Sequence, residues 1–299
     1  MRKIFIDTLI AEAETNPDIW LLTADFGFGV LEPFKQKFPD RFLNTGIAEQ
    51  NTVGIAAGLA LSGKIPYVYT AIPFVSARPF EQIKVDCAYM NTNVKLIGVG
   101  AGFSYGPGGA THHSIEDIAI MRSLPNMSVL APGSLNETKA LVKDSVKRKG
   151  PEYIRLGRSG EPSLNYSVEF GKFSKLKEGS DVAVISTSTM LADCIAATDA
   201  LEKKGIKASL FSAHTLKPFD EEGVLNLLKT NTPIVSVEEH NIIGGLADCI
   251  ANVAAKSDKS CKFLPLAVAD KFSHYIGSQK FIKEKMGLGN LSEKIESFL

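Results

Sequence analysis

A single carboxylate, Glu49, opens a segment of unusually small residues. Residues 44–61 read NTGIAEQNTVGIAAGLAL, in which Gly54 and Gly58 stand four apart and predict a helix with one nearly bare face. Such a face lets another backbone approach closely. Glu49 could complement the positive end of that helix or act as an acid or base. A reciprocal capping box is not predicted, because Gly46 has no hydroxyl, and the residues of this segment leave both roles open.

A second segment, residues 69–82 (YTAIPFVSARPFEQ), carries two phenylalanine rings and a cation. Phe74 and Phe80 could pack in the core, which is the commoner role of such residues, or contact a flat ligand. Arg78 lies between them in sequence. The residues of this segment favour core packing but do not settle the choice.

The third segment is a glycine-rich loop, residues 100–113, that ends in His112 and His113. It matches neither the P-loop nor the dinucleotide-binding fingerprint. Histidine is the side chain whose unperturbed pKa lies near neutral pH, so the pair is a candidate for proton transfer or substrate contact. A loop histidine without a role is the alternative, and it has more weight for His113 than for His112.

Short apolar runs alternate with helical patterns along nearly the whole chain, and most predicted strands are continuously apolar. This is typical of α/β proteins whose parallel sheets are covered on both faces. Residues 159–180 break the pattern with Gly, Pro, Ser and Lys, which indicates a linker. We therefore predict two domains, residues 1–162 and a smaller one at 178–299. Ligands bind at the carboxyl ends of such strands, and all three segments follow predicted strands.

Charge and composition exclude several classes of function. The 299 residues hold 33 basic and 33 acidic side chains, and no basic stripe stands out, which argues against nucleic acid as a partner. Acidic residues interrupt the first apolar segment, and no apolar run is long enough to span a membrane. The four cysteines are scattered and read as reduced thiols. We expect a cytoplasmic protein.

Five motifs in order resemble the carboxy-terminal half of transketolases. They are GIAEQN at 46–51, GLALSG at 58–63, Glu81-Gln82, GATH at 109–112 and MRSLPNM at 121–127. The resemblance is strongest to split transketolases, in which this half is a separate polypeptide. It implies a parallel-sheet, thiamine-diphosphate pyrimidine-binding domain followed by a smaller α/β transketolase carboxy-terminal domain. The implied activity is transfer of a two-carbon ketol unit from a ketose donor to an aldose-type acceptor.

The resemblance also implies roles for individual residues. Glu49 falls at the family's catalytic glutamate, whose carboxylate binds the aminopyrimidine ring and promotes deprotonation of the thiazolium carbon. Phe74 falls near the aromatic that stacks on the pyrimidine, and Phe80 and Arg78 belong to the same cofactor-binding segment. His112 aligns with a catalytic histidine that bonds the substrate, and Arg158 with an arginine that grips its phosphate.

The motif that holds the diphosphate cation in this family, Gly-Asp-Gly with a later Asn, does not occur in the chain. We therefore expect no metal ligands here and a Mg²⁺ or Ca²⁺ ion bound mainly by an amino-terminal transketolase subunit. The chain is expected to be inactive alone. Self-association to a dimer, or a two-plus-two heterotetramer with that partner, is the expected assembly.

Four positions depart from the family pattern: Gly29, Ala71, Gly100 and Gly108. The three glycines replace polar or charged groups that contact substrate in other members, and each lost charged hydrogen bond would weaken binding by roughly 1.5–3 kcal/mol. The hypothesis that follows is a sugar that is bulkier or lacks the usual terminal phosphate, such as an unusual or nucleotide-linked sugar.

Two other functions stay open. One is the beta subunit of a 2-oxoacid dehydrogenase, which shares the domain order and the glutamate but not the GATH loop. The other is a non-catalytic regulatory subunit, which the presence of Glu49 and His112 disfavours. No role is assigned to His113 or His240.

Overall fold

The computed structural model describes all residues from Met1 to Leu299 as two α/β units, each built on its own sheet. The strands are β1 (Ile19–Thr23), β2 (Phe42–Asn44), β3 (Ile65–Ala71), β4 (Lys95–Val99), β5 (Ser128–Leu130), β6 (Glu152–Leu156), β7 (Ser174–Lys177), β8 (Val182–Ser186), β9 (Ala208–Ser212), β10 (Thr215–Lys217), β11 (Ile234–Asn241) and β12 (Phe263–Val268).

The helices alternate with these strands and cover both sheets. They are α1 (Arg2–Thr15), α2 (Glu32–Lys37), α3 (Glu49–Leu61), α4 (Ile72–Ser76), α5 (Phe80–Gln82), α6 (Asp117–Arg122), α7 (Leu135–Ser145), α8 (Leu191–Lys203), α9 (Glu221–Lys229), α10 (Leu246–Lys256), α11 (Gln279–Lys283) and α12 (Leu291–Phe298). Helix α5 continues as a π-helix, Ile83–Tyr89, and a second π-helix, Glu284–Leu288, follows α11.

The first sheet has seven strands in the order β10-β5-β6-β4-β3-β1-β2. Six of them are parallel, and the central ones, β6, β4 and β3, are almost fully buried, which agrees with their largely apolar sequences. The seventh, β10, belongs to the carboxy-terminal half of the chain and adds an antiparallel edge beside β5. This strand was not predicted from the sequence, and through it the two halves of the chain share one sheet.

The second sheet has five strands in the order β12-β11-β8-β9-β7. Strand β7 pairs with β9 in the antiparallel direction and lies inside residues 159–180, for which the sequence predicted a linker between the domains. That prediction was wrong for Ser174–Lys177. Helix α4 ends at Ser76, and the next helical turn begins at Phe80.

The carboxyl ends of five parallel strands place the candidate residues at one edge of the first sheet. Residue Thr23 of β1 lies beside Asn44 of β2, and Ala71, Val99 and Leu156 end β3, β4 and β6 in register. The segments that follow β2, β3, β4 and β6 carry Glu49, Phe74, the glycine-rich loop and Arg158 respectively. Segments distant in sequence therefore meet at one edge.

Candidate active site

Glu49 is the first residue of α3, and its side chain is only 6% exposed. Its Oε1 accepts a hydrogen bond of 2.8 Å from Nη1 of Arg78, whose side chain is 47% exposed. The carboxylate bonds none of the free N–H groups of the helix, and no side chain caps α3. A helix-capping role therefore does not account for a buried carboxylate at this position.

Arg78 bridges Glu49 to the aromatic ring of Phe74. Its guanidinium carbon lies 3.9 Å from the centroid of that ring, while its Nη1 bonds the carboxylate. The guanidinium of Arg78, a flat group that donates N–H bonds, thus lies between the carboxylate of Glu49 and the ring of Phe74. An aminopyrimidine is also flat and also presents N–H donors, so these residues fit the pyrimidine end of thiamine diphosphate.

His112 continues this row of side chains. Its ring centroid lies 5.3 Å from that of Phe74 and 6.2 Å from that of Tyr105, edge to face in both cases. The Nδ1 atom shares a 2.9 Å hydrogen bond with the hydroxyl of Thr111. The remaining ring nitrogen, Nε2, makes no hydrogen bond within the chain, so it is free to contact a substrate.

Arg158 stands at the far end of the row, just after β6. Its guanidinium carbon lies 5.2 Å from the ring centroid of Tyr105, and its carbonyl accepts a 3.2 Å bond from Nε of Arg2. Neither arginine pairs with a carboxylate, although both line a cleft of about 440 Å³. The two acids beside them are engaged elsewhere, Asp7 with Lys3 and Glu161 with the amino group of Met1.

Together these contacts form a continuous row: Glu49, Arg78, Phe74, His112, Tyr105 and Arg158. All of them except Tyr105 were predicted from the sequence, whereas Arg2, at the end of the row, was not. An aromatic residue among glycines was a visible signal for Tyr105. Nothing in the sequence pointed to Arg2.

Two of the three unusual glycines have a packing role. A Cβ atom on Gly100 would lie 2.1 Å from the ring of Tyr105, and one on Gly108 would lie 2.7 Å from Cβ of His112. Gly29 differs, since no atom lies within 4 Å of such a Cβ and its φ of +74° alone favours glycine. Ala71 is buried at the end of β3.

Phe80 and the two histidines to which no role was assigned lie outside the row. Phe80 is half-buried and packs against a buried apolar cluster to which both domains contribute, and no aromatic contact joins it to Phe74 or His112. His113 is buried; its Nε2 lies 3.2 Å from the carbonyl of Gly106, and burial lowers its pKa. His240 is buried in β11, where burial lowers its pKa to about 4.

Comparisons with known proteins identify the family. The family described as "Transketolase, pyrimidine binding domain" matches residues 1–162, and "Transketolase, C-terminal domain" matches residues 171–282. The chain belongs to the transketolase family. The predicted fold, a pyrimidine-binding domain followed by the family's carboxy-terminal domain, is thereby confirmed.

Relatives of similar length include polypeptides of split enzymes. The chain is 36% identical over 292 residues to one subunit of the apulose-4-phosphate transketolase of Actinobacillus succinogenes, covering 96% of this chain and 94% of that protein. It is 36% identical over 289 residues to a putative transketolase C-terminal section of Methanocaldococcus jannaschii, with 95% and 90% covered. A 6-deoxy-6-sulfo-D-fructose transketolase subunit of a Clostridium species is 36% identical over 295 residues, with 96% and 90% covered.

Among solved structures, a split gene transketolase described as an inactive beta4 tetramer superposes with a TM-score of 0.89 at 36% identity. That match covers 100% of this chain and 97% of the other. Transketolase of Pichia stipitis shares the fold at 23% identity and a TM-score of 0.79, and 45% of its chain is covered. The chain is thus similar to the carboxy-terminal section of a split transketolase, as the sequence predicted.

The family depends on thiamine diphosphate. The residues of this chain fit its pyrimidine end, but no group of three or more His, Cys, Asp or Glu side chains is arranged to hold a metal ion. No helix is both long enough and apolar enough to cross a membrane.

Proposed function

We propose that this chain is the carboxy-terminal subunit of a thiamine-diphosphate-dependent transketolase that transfers a two-carbon ketol unit between sugars. The observation that carries the proposal is the continuous row from Glu49 to Arg158. A buried carboxylate joined through Arg78 to an aromatic ring stands at one end, a histidine stands in the middle, and unpaired arginines stand at the other end.

Each part of the row has a defined task in this reaction. When bound, thiamine diphosphate supplies the carbanion chemistry that splits the ketose. Glu49 would hold the aminopyrimidine through its carboxylate and give or take a proton there, and Phe74 would support the ring. His112 bonds the sugar near the carbons that react. Arg158, with Arg2 beside it, binds the sugar's far end, and two unpaired guanidiniums favour an anionic group there over a neutral one. This favours a phosphorylated sugar over the sequence-based hypothesis of a sugar without a terminal phosphate.

The bare face of α3 supports a partner subunit. A Cβ atom on Gly54 or Gly58 would meet no atom within 4 Å, so no part of this chain approaches that face. Two large apolar side chains in the segments that follow β1 and β2 are also exposed, Phe28 at 75% and Ile47, two residues before Glu49, at 77%. An amino-terminal transketolase subunit that carries the diphosphate site would cover these surfaces and supply the Mg²⁺ or Ca²⁺ ion.

The test is reconstitution with an amino-terminal transketolase subunit from the same genome. With thiamine diphosphate and Mg²⁺, the pair should transfer a ketol unit from a phosphorylated ketose such as xylulose 5-phosphate, and neither subunit should do so alone. Glu49→Gln should lower kcat at least ~100-fold, the range expected for loss of acid–base catalysis. Its stability should change little, because the pair with half-exposed Arg78 contributes about 0–1 kcal/mol.

Several outcomes would contradict the proposal. Ketol transfer by the isolated chain would remove the need for a partner, and full activity of Glu49→Gln would favour a regulatory subunit. Decarboxylation of pyruvate by the pair, without ketol transfer, would favour the 2-oxoacid dehydrogenase alternative. Equal rates on ketoses with and without a terminal phosphate would contradict the inference that Arg158 and Arg2 bind an anionic group of the sugar.

A further inference from the structure

The glycine-rich loop that carries Tyr105 and His112 is held at its base by the carboxy-terminal domain. Gly102 and Ser114 exchange two backbone hydrogen bonds, of 3.1 and 2.9 Å, which close the loop. Directly behind this closure lies the side chain of Glu239, on strand β11 of the other domain. This carboxylate is 1% exposed.

Glu239 accepts four hydrogen bonds. Its Oε1 accepts from the backbone N–H of Phe103 at 2.8 Å and from Nε2 of Gln279 at 3.1 Å. Its Oε2 accepts from Nε2 of Gln279 at 2.8 Å and from the hydroxyl of Thr189. A protonated carboxyl group would have to donate one hydrogen bond, whereas an ionised carboxylate only accepts them. The four donors around Glu239 therefore match its charged form.

The loop packs tightly against the carboxy-terminal domain at this point. A Cβ atom on Gly102 would lie 2.3 Å from the carboxylate carbon of Glu239, so the backbone sits directly on that group. Phe103 is fully buried among apolar residues of the carboxy-terminal domain, and a Cβ on Gly106 would lie 2.1 Å from the carbonyl of Gly277. The loop is therefore seated on the second domain at three neighbouring positions.

We infer that Glu239 is a positioning residue that sets where His112 stands in the row, and that the carboxy-terminal domain acts on the reaction through this contact. The expected effect on kcat/KM rests on the proposed ketol transfer, whereas the expected effect on the loop itself does not. Burial raises the pKa of Glu239, and nearby Lys283 and the bonds from Thr189 and Phe103 act in the opposite direction.

The neighbouring Glu238 provides a matched control. It is equally buried and lies on the same strand, but its two oxygens accept from the backbone N–H groups of Leu246 and Ala247 at the start of α10, at 2.7 and 2.9 Å. Glu238→Gln and Glu239→Gln therefore make the same substitution at adjacent buried residues, and only the second change touches the loop.

The first measurement is hydrogen exchange of the purified chain, followed by mass spectrometry. Glu239→Gln should speed exchange in peptides covering residues 100–113 at least about tenfold, whereas Glu238→Gln should affect residues 244–250 instead. Gln279→Leu removes two of the four hydrogen bonds to Glu239 from a less buried position. Gln279→Leu should also speed hydrogen exchange in residues 100–113, by a smaller factor. It replaces Glu239→Gln as the test if that variant does not fold.

The second measurement is made on the reconstituted pair. Glu239→Gln should lower kcat/KM for ketol transfer at least about tenfold while the affinity for thiamine diphosphate stays within about twofold, because Glu49 and Phe74 lie outside the loop. Glu238→Gln should leave both values within about twofold. Unchanged loop exchange in Glu239→Gln and Gln279→Leu, or an equal loop change in Glu238→Gln, would overturn the inference. Altered loop exchange in a pair without ketol transfer would instead refute the proposed function alone.

Discussion

A fully buried ion pair joins Arg155 of β6 to Asp117 of α6, where the two domains meet. Nε of the arginine bonds the carboxylate at 2.9 Å, and Nη1 bonds the hydroxyl of Ser188 at 2.8 Å. Its Nη2 bonds the carbonyls of Ser114 and Glu239, at 2.9 and 3.0 Å. This one guanidinium therefore links the base of the glycine-rich loop to the carboxy-terminal domain behind it.

Replacing Arg155 with Met should destabilise the chain by about 3–5 kcal/mol, the range found when one partner of a buried pair is removed. Asp117, only 1% exposed, would keep a single hydrogen bond, from the hydroxyl of Tyr153 at 2.7 Å. With a denaturant slope of roughly 2 kcal/mol per molar urea, the unfolding midpoint should fall by about 1.5–2.5 M. Circular dichroism in urea measures this shift.

Two further variants separate the buried charge from lost packing. Adding Asp117→Asn to Arg155→Met removes the orphaned carboxylate, so the double variant should be more stable than the sum of the single losses by about 0.5–3 kcal/mol. Lys64→Met breaks a half-exposed pair with Asp18 and should change stability by less than about 1 kcal/mol. Strict additivity, or a loss for Arg155→Met no larger than for Lys64→Met, would refute the reasoning.

Three other predictions concern the helix α3 glycines, Gly100 and His240. Changing both Gly54 and Gly58 to Ala should stabilise the isolated chain by about 1–2 kcal/mol in urea, because nothing lies near either Cβ, yet weaken its association with the partner. Gly100→Ala combines a φ of +96° with a clash of 2.1 Å and should lower kcat/KM at least about tenfold, whereas Gly205→Ala, at φ +84° with open space around it, should only lower stability. Burial lowers the pKa of His240 to about 4. As pH falls from 6.5 towards 4, this histidine is therefore protonated in the unfolded chain before it is protonated in the folded one, so the folded state loses stability. The urea midpoint of His240→Asn should fall less over that range than the midpoint of the unchanged chain.

The parallel core of the fold was predictable because its strands are continuous apolar runs. Strands β7 and β10 were not, since their sequences, SKLK and TLK, are short and polar and have no strand pattern of their own. Each exists because a distant edge, β9 or β5, offers unpaired backbone groups. Pairing of that kind is decided by tertiary packing and not by local propensity.

The candidate site divides in the same way. Glu49, Phe74, His112 and Arg158 follow strands, so their common edge could be predicted from the alternation of strands and helices. The placement of Tyr105 depends on how the glycine-rich loop folds over Gly100, and that fold depends on Glu239, more than a hundred residues later. No local pattern in the sequence carries this information.

The glycines themselves have a different meaning once the loop is seen. From the sequence we interpreted Gly100 and Gly108 as lost contacts to the sugar, but side chains at either position would collide with Tyr105 or His112. Glycine at these two positions leaves the space that the rings of Tyr105 and His112 occupy. Tyr105 lies between His112 and Arg158 in the row, and its hydroxyl makes no hydrogen bond within the chain, so it is free to contact a sugar. Differences in sugar preference between this chain and its relatives should accordingly follow the residue at position 105 more closely than the glycines.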